Sequence, residues 1–525
     1  MHELPKELSL RTLRQTMIVG LRYAMLLFAV LNGRCQNTPA VATHDPDLVA
    51  NRLIVVYKDH ALPETLATHL QPDKAKVVAA VPRWGMAVIQ ASDRDIAEAS
   101  SRIAALQAEL QADPSVAYVV HDRRMHASRL LETRPVTVGP KPNSDWFYTS
   151  TPQGWAVKEV GGYGAGVAGG PAHGPWDVTM GQGVRIAVLD SGISSSHPDT
   201  RPNLIYATSL VDQTALPSPC DDGSPEDQAG HGTWTASLAA AALGPDTGMV
   251  VGVAPKASLL NIKVLERVPA AGSSSATALC EQGDADGLMS WIIAGIATAS
   301  AQHADIISIS AGGLLDSYSG EAEGTIAAFN RAAYNAAQEG ALIIAAAGND
   351  GESLDNNRYI EMPAQAEDVL AVVATTNPQC AQNTNTGATC EAGPVSLAYY
   401  SNYGTTIQSV AAPGGSYPSG PLNGAGISGF VRGACSTGLP DTGDGLPSQP
   451  GLSFGCFGFG HAAYVEAVGT SASAPLVAGV AALVKAAHPD WGPAQIAALL
   501  RSSAQPLSAP SGVAINAVNA EAALQ

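Results

Sequence analysis

Apolar segments of two lengths alternate along the chain downstream of Trp176. Six have the length of buried strands, and five longer ones have the apolar density of buried helices. The predicted strands are Val184–Leu189, Ser258–Val264, Ile306–Ser310, Ala341–Ala346, Val369–Ala374 and Ile407–Ala411. The predicted helices are Gly232–Leu243, Leu288–Gln302, Gly324–Glu339, Ser471–Ala487 and Pro493–Ser502. This alternation predicts an α/β domain over residues 176–525, with a mainly parallel sheet and helices on both faces.

A smaller α+β unit is predicted upstream, over residues 50–122. Its strand patterns are Arg52–Tyr57, Val77–Val81, Met86–Gln90 and Val116–Val120, and its helical patterns lie near Leu62–Leu70 and Ile96–Leu110. The resulting order β-α-β-β-α-β is that of the ferredoxin-like split motif. Residues 123–175 are rich in proline and glycine, which predicts a linker and processing region without a packed element.

Three polar residues stand where the predicted elements begin or end. Asp190 ends a strand-length apolar run, His231 opens one buried helix, and Ser471 opens another. The carboxyl ends of parallel strands and the amino ends of helices are where α/β sheets carry their sites, and a helix amino end favours a developing negative charge. Each residue alone has a simpler interpretation, since serine and aspartate are common helix caps and most histidines are structural.

Together these motifs resemble the subtilisin-type serine endopeptidases. Asp190-Ser191-Gly192, His231-Gly232-Thr233 and Gly469-Thr470-Ser471 match the three catalytic motifs of that family in order. The resemblance covers roughly residues 175–525. It implies a subtilisin-like fold and hydrolysis of peptide bonds through an Asp-His-Ser triad and an acyl-enzyme. Ser473 is the competing nucleophile, and it ranks lower because the family's nucleophile follows Gly-Thr.

The resemblance also assigns roles around the triad. The segment before Asn349 matches the family's Ala-Gly-Asn segment, which implies that Asn349 is the side-chain donor to the oxyanion; the alternative is a turn residue beside glycine. The residues that would bind substrate are Ser310, Ala311, Gly312, Ala347, Gly348, Asp350 and Glu361. Glu361 aligns with the floor of the primary pocket, where a carboxylate would favour Arg or Lys before the scissile bond. The alternatives are a slipped alignment or a Glu361 that faces solvent.

The upstream unit resembles the inhibitory propeptide of this family. The resemblance therefore implies a precursor that processes itself, with the propeptide as intramolecular inhibitor and proteins or peptides as substrates. It also implies a structural Ca²⁺ site that includes Asp199 and Asp246, although Ca²⁺ needs six to eight oxygen ligands and only two are identified. No organic cofactor is expected. The rival interpretations are an unrelated small domain upstream and, for the whole chain, a catalytically inactive peptide-binding scaffold.

Composition limits the partners. The formal net charge of the 525-residue chain is −18, and only 14% of its residues are charged. A strongly negative protein is unsuited to nucleic acid or an anionic membrane, so neither is expected as a partner, and no stable membrane insertion is expected after processing.

Six of the seven cysteines lie in the predicted catalytic region. An even number there favours disulfides and an oxidising compartment. Six cysteines allow 15 connectivities. We favour the sequential pairs Cys220–Cys280, Cys380–Cys390 and Cys435–Cys456, because each would close one apparent insertion.

Residues 1–36 are predicted to be a signal peptide with an uncertain boundary. Basic residues precede the short apolar run Tyr23–Leu31, which is too short to span a bilayer comfortably. No clear Ala-x-Ala cleavage site follows, and Met17 is an alternative start. We therefore expect a secreted protein, either extracellular or periplasmic.

Overall fold

The structure is a computed structural model. It describes residues 45–70, 75–91, 96–127, 154–164, 173–243, 250–270, 280, 284–376, 395–415, 430–436, 457–459, 462–507 and 515–525. Residues 47–525 belong to one compact unit. The predicted signal peptide lies outside the described residues.

The first part of the compact unit is a small antiparallel sheet. Its strands are β1 (Leu48–Tyr57), β2 (Ala75–Val81), β3 (Met86–Ala91) and β4 (Val116–Ala127), and its helices are α1 (Leu66–His69) and α2 (Ile96–Ala112). The strand order is β4-β1-β3-β2. Ile103, Leu106 and Leu110 of α2 are buried against one face, beside Leu53 and Val55. The predicted element order is present, and we call these elements the β1–β4 unit.

The elements that follow alternate in the predicted manner. The strands are β5 (Arg185–Asp190), β6 (Leu204–Ser209), β7 (Ser258–Lys263), β8 (Leu265–Val268), β9 (Asp284–Leu288), β10 (Ile306–Ile309), β11 (Ala311–Asp316), β12 (Leu342–Ala346), β13 (Tyr359–Met362), β14 (Val369–Thr376), β15 (Ser396–Leu397), β16 (Ser409–Pro413), β17 (Val431–Ala434), β18 (Phe457–Phe459), β19 (Ala462–Ala467), β20 (Gln505–Leu507) and β21 (Ile515–Ala517). The helices are α3 (Trp155–Glu159), α4 (Pro175–Val178), α5 (His231–Ala240), α6 (Met289–Ala301), α7 (Ala322–Gln338), α8 (Thr470–Ala487), α9 (Pro493–Ser502) and α10 (Ala520–Leu524).

The central sheet has the order β20-β21-β16-β14-β12-β10-β5-β7-β6 and is parallel from β6 to β21. Successive strand residues point to opposite faces, so two cores form. Ile186 and Val188 of β5 pack with α5 and α8 on one face. Ala187 and Leu189 pack with α6 and α7 on the other. The predicted α/β fold with helices on both faces is confirmed.

The linker predicted for residues 123–175 is wrong at both ends. At its start, Arg123–Ala127 continue β4. Toward its end, Trp155 of α3 is 6% exposed in the main core and donates its Nε1–H to Phe430 O at 3.0 Å. The density of glycine and proline around α3 concealed this short helix, because its burial depends on the distant Phe430.

A three-stranded sheet, β17-β19-β18, is formed between β16 and α8. It is bonded to α5, since Trp234 Nε1–H donates to Val431 O at 3.1 Å and Ala434 N–H donates to Ser237 Oγ at 2.9 Å. A buried ion pair joins Arg432 of β17 to Glu466 of β19. Because β19 leads directly into α8, this small sheet connects the helices that begin at His231 and Thr470.

The structure contains the predicted Cys220–Cys280 disulfide, with 5.2 Å between the Cα atoms. Cys435 is also disulfide-bonded, and its predicted partner Cys456 lies outside the described residues. The predicted Cys380–Cys390 pair lies outside them as well. Within the described residues, only α8 is long and apolar enough to cross a membrane, but 83% of it is buried inside the protein, as expected of a core helix.

Candidate active site

Asp190 and His231 form a buried pair. Asp190 is the last residue of β5, and His231 is the first of α5. His231 Nδ1 lies 2.7 Å from Asp190 Oδ1, and each side chain is 1% exposed. Asp190 also accepts the Ser191 N–H at 2.7 Å and the Thr235 hydroxyl at 3.0 Å. Both carboxylate oxygens are therefore oriented, and the carboxylate fixes the histidine through Nδ1.

Burial and charge act on this histidine in opposite directions. Burial lowers the pKa of His231, whereas the charge of Asp190 and its hydrogen bond raise it, with a smaller contribution from Asp227. The net pKa is raised above the ordinary value of histidine. A ring held in this way at Nδ1 presents Nε2 as a base of increased strength.

Asp227 was not identified from the sequence, yet it is hydrogen-bonded to both the segment after Asp190 and the segment that begins at His231. Its buried carboxylate accepts the Ser191 hydroxyl at 2.9 Å and the backbone N–H groups of Gly230 and Thr233 at 2.7 and 2.8 Å. It thereby joins the turn after Asp190 to the first turn of α5. An acidic residue just before a predicted helix start is the signal that points to such a role.

Ser471 lies at the amino end of α8, which packs against α5. The residue is buried, its Oγ lies 3.4 Å from Ser310 O, and its own carbonyl accepts the Ser310 hydroxyl at 3.1 Å. Ser473 lies within the first turn of the same helix, and its hydroxyl has no hydrogen-bond partner among the described residues. The serine, the histidine and the aspartate thus stand at neighbouring ends of packed elements.

Asn349 contacts the residue that precedes Ser471. Its Oδ1 accepts both the N–H and the hydroxyl of Thr470, each at 2.9 Å. These two donors identify Oδ1 and turn the Nδ2 donor the other way. Gly469 has φ 147°, and a Cβ there would lie 3.2 Å from Nδ2. A glycine is therefore required where the chain passes the amide.

The end of β4 lies between β9 and β11, and we call the groove between these two strands the cleft. The end of β4 is antiparallel to β11, with Ala127 opposite Ala311 and His126 opposite Gly312. On its other side it is antiparallel to β9, with His126 opposite Asp286. The β1–β4 unit thus contributes a middle strand between two strands of the catalytic part, one of which is the predicted substrate-pairing segment.

Glu361 lies between Gly312 and Gly348, two of the predicted substrate-binding residues. A Cβ at Gly312 would collide with its Oε1, and a Cβ at Gly348 would lie 3.1 Å from its Oε2. The residue is 3% exposed. Burial, and secondarily Asp350, raise the pKa of Glu361 well above its ordinary value, whereas His126 lowers it. The alternative, in which Glu361 faces solvent, is wrong.

The remaining predicted substrate residues surround Glu361. Ala347 is buried, and Gly348 has φ 94°, a value that favours glycine. Asp350 is held by Asn402, which accepts the Asp350 N–H at 3.0 Å and donates Nδ2–H to its carboxylate at 3.1 Å. Asn402 was missed by sequence reasoning, because it acts from more than fifty residues downstream.

Comparison with known proteins identifies the family. Residues 181–520 match the Subtilase family. The chain belongs to the subtilase family. Subtilisin E from Bacillus subtilis (strain 168) is 30% identical to this subtilase over 417 residues, which cover 79% of the chain and 77% of that protein. Thermitase from Thermoactinomyces vulgaris is 32% identical over 239 residues, 46% of the chain and 66% of that protein.

Other relatives match over less of their length, and solved structures share the fold. The match to the major intracellular serine protease of Bacillus subtilis (strain 168), at 35% identity, spans 51% of that protein and 37% of this chain. The epidermin leader peptide processing serine protease EpiP from Staphylococcus aureus has a TM-score of 0.60 at 20% identity, covering 90% of this chain and 97% of that chain. The predicted membership of the subtilisin-type family is thus confirmed.

The predicted calcium ligands are only partly described. Asp199 is buried, and its Oδ2 accepts the Val250 N–H at 3.1 Å. Asp246 lies outside the described residues. Within the described residues, no group of three or more His, Cys, Asp or Glu side chains is placed to hold a metal ion. Asp199 alone does not supply the six to eight oxygen ligands that Ca²⁺ requires.

Proposed function

We propose that this subtilase is a serine endopeptidase. The buried Asp190–His231 pair carries the proposal, because it provides an oriented base at the amino end of the helix that packs against α8. A serine hydroxyl is a poor nucleophile at neutral pH and needs such a base. Membership of the subtilase family supports the same function.

In the proposed reaction, His231 Nε2 takes the proton of Ser471 Oγ as Oγ bonds to the carbonyl carbon of the scissile peptide. The carbonyl oxygen becomes an oxyanion, which Asn349 Nδ2–H and the Ser471 backbone N–H bind. When the carbon–nitrogen bond breaks, the imidazolium gives its proton to the leaving amine. Water then hydrolyses the acyl-enzyme by the same proton transfers in reverse, and Asp190 stabilises the imidazolium in both steps.

Labelling with a fluorophosphonate tests this function against the inactive-scaffold alternative, since only an activated serine reacts. We expect covalent labelling at Ser471 in the native protein and none in Ser471→Ala. A native, folded protein that neither reacts with the probe nor hydrolyses peptides would favour the scaffold. Labelling at Ser473 instead would overturn the choice of nucleophile.

We also propose that the β1–β4 unit is a propeptide that inhibits the enzyme until the enzyme removes it. The end of β4 occupies the cleft as a substrate strand would, and the unit contacts the catalytic part elsewhere. Glu321, just before α7, accepts the His121 N–H at 2.8 Å, and Arg83 pairs with Glu339 at 3.0 Å. Purified Ser471→Ala protein should keep its full precursor length. Normal maturation of that variant, with no other protease present, would contradict self-processing.

A preference for Arg or Lys directly before the scissile bond is proposed for the primary pocket. The support is Glu361, a buried carboxylate between Gly312 and Gly348 that would pair with a substrate cation. Charge-assisted hydrogen bonds contribute about 1.5–3 kcal/mol, or roughly a 10–100-fold preference over an uncharged residue of similar size. Tetrapeptide anilides that differ only in the last residue test it, and Arg and Lys no better than Ala would exclude it.

Secretion and calcium binding are proposals from the sequence and the family resemblance. Secretion predicts that the six cysteines beyond residue 123 are oxidised, and the Cys220–Cys280 bond supports this. Free thiols at all six positions by non-reducing mass spectrometry would contradict it. For calcium, unfolding temperature measured with added Ca²⁺ and with a chelator is the test, and equal values would exclude a structural ion.

A further inference from the structure

A second acidic position faces the cleft beside the proposed substrate strand. His126 is in register with Gly312 on one side and with Asp286 on the other. Its Nδ1 lies 2.8 Å from Asp286 Oδ1. The Asp286 side chain is 12% exposed while the β1–β4 unit is present, and it belongs to the catalytic part. Removal of the unit therefore leaves this carboxylate facing the strand position that His126 occupies.

A second, buried carboxyl group lies behind Asp286. Glu266 is its cross-strand partner between β8 and β9 and is buried. Its Oε1 has no hydrogen-bond partner among the described residues. Burial raises the pKa of Glu266 to about 8, with further raising contributions from Asp221, Asp286 and Asp212 that outweigh the lowering effect of Lys263. Glu266 is therefore largely uncharged at neutral pH, and Asp286 is the member of this cross-strand pair whose carboxylate faces the position of His126.

In the precursor, cations of the β1–β4 unit face Asp286 and Asp212, whereas Lys263 of the catalytic part is paired with Asp221. His126 contacts Asp286, and Arg52 Nη1 lies 3.7 Å from Asp212 Oδ2. Both depart with the unit when the precursor is processed. The mature enzyme is thus left with an acidic surface at the edge of its cleft, and a basic side chain of a substrate can replace His126.

The antiparallel register between β4 and β11 determines which substrate residue would take the position of His126. β4 ends at Ala127, opposite Ala311, and a substrate strand that continued this register by one residue would reach Ser310, whose carbonyl oxygen lies 3.4 Å from Ser471 Oγ. A substrate residue opposite Ser310 therefore stands next to the nucleophile and precedes the scissile bond. The residue in the position of His126 is the third before the bond.

We propose that Asp286 is a specificity-determining residue that selects Arg or Lys as the third residue before the scissile bond. The proposal rests on the proposed peptidase function and deepens it: with Glu361, it makes the enzyme select substrates with two basic residues separated by one other. Since His126 is 44% exposed in its position, the effect is smaller than that of a fully buried pair. We expect an Arg-over-Ala preference of about three- to tenfold in kcat/KM.

The test uses the enzyme matured from the full chain and peptide anilides that vary only in the third residue before the bond, as Arg, Ala or Glu. One series ends in Arg and another in Phe, so that the result does not depend on Glu361. Asp286→Asn keeps the side-chain shape and removes the charge. Asp490→Asn, an exposed aspartate that follows α8, is the control for loss of one negative charge.

In the native enzyme and in Asp490→Asn, kcat/KM should fall in the order Arg, Ala, Glu, and the Arg/Ala ratio should decrease at high salt. In Asp286→Asn that ratio should approach one. Equal rates for all three peptides in an active native enzyme would overturn the proposal, and this comparison holds even when Asp286→Asn fails to mature. An enzyme inactive on every peptide would instead contradict the peptidase function itself.

Discussion

Two histidine–aspartate pairs in this molecule have nearly the same nitrogen–oxygen distance. They differ in burial and in their other hydrogen-bond partners. His231 Nδ1 is 2.7 Å from Asp190, and His126 Nδ1 is 2.8 Å from Asp286. Both partners of the first pair are 1% exposed, whereas His126 is 44% exposed. The first pair is built into the ends of β5 and α5, but the second joins two segments that part if the precursor is processed.

The proposed catalytic base, His231, therefore differs from His126 in more than its distance to an aspartate. Asp190 is held by Thr235 and Ser191 as well, so the ring of His231 has one orientation. His126 instead shares its ring between two carboxylates, Asp286 and Asp47, which raise its pKa to about 10. A histidine that remains protonated at neutral pH cannot accept a proton there. It acts as a positive charge that binds the two carboxylates. Burial and the additional hydrogen bonds decide between the two roles.

The largest expected difference between the pairs is in turnover. Asp190→Asn should lower kcat by about 10⁴-fold for every substrate, since the ring loses its oriented tautomer; the magnitude comes from other serine peptidases. Asp286→Asn should leave kcat unchanged for peptides with Ala at the third position. Steady-state kinetics on a short anilide compares the two. Similar losses in both variants would remove the distinction drawn here.

Asn349→Ala should lower kcat by about 100- to 1000-fold with little change in KM, a magnitude taken from a related subtilisin. The amide binds charge that develops only in the transition state, so the loss should not depend on substrate sequence. Substitutions of Glu361 or Asp286 should, by contrast, lower kcat/KM for peptides with a basic residue at the matching position and leave other peptides unaffected. A loss that varied strongly between Arg and Phe anilides would indicate that Asn349 acts on binding instead.

Glu361 should make the preference for Arg dependent on pH. Because its pKa is raised by burial and by Asp350, the carboxyl is neutral below that pKa and charged above it. The Arg/Phe ratio in kcat/KM should therefore rise with pH, by about 10–100-fold in full, and stay low and flat in Glu361→Gln. Glu367→Gln, on the exposed turn that follows, is the matched control. A ratio independent of pH in the native enzyme would show that Glu361 does not bind the substrate cation.

The smallest effect is expected for His126 in the precursor. Its pKa is raised, so its stabilising charge is complete below about pH 6.5 and is lost as pH rises through about 10. The lag before activity appears should be a few-fold shorter at pH 10.5 than at pH 8, after correction for mature activity at each pH. In His126→Gln the lag should be short at both values. An equal lag at both values in the native precursor would mean that the pair does not hold the unit in place.

Local patterns predicted the core of this fold well. The central strands are continuous apolar runs, as expected for parallel strands covered on both faces, and β5 deviates by only one residue from its prediction. The end of β4 was missed because Arg123-Arg124-Met125-His126 lacks an apolar pattern. It is extended only because β9 and β11 pair with it. β9 was missed for the same reason, since its aspartates and glycine disfavour an isolated strand.

By itself, the sequence determined the class of chemistry, through three motifs whose residue types a serine peptidase needs, and the elements that carry them. The motifs already paired Asp190 with His231, whereas only the tertiary structure decided that His126 meets Asp286. Asp190 and His231 are 41 residues apart, and His126 and Asp286 are 160 apart. Nothing local marks His126 and Asp286 as partners, and in neither pair does the local sequence determine the environment of the side chains. Their burial, their second partners and hence their protonation depend on elements that meet only when the two cores and the cleft have formed.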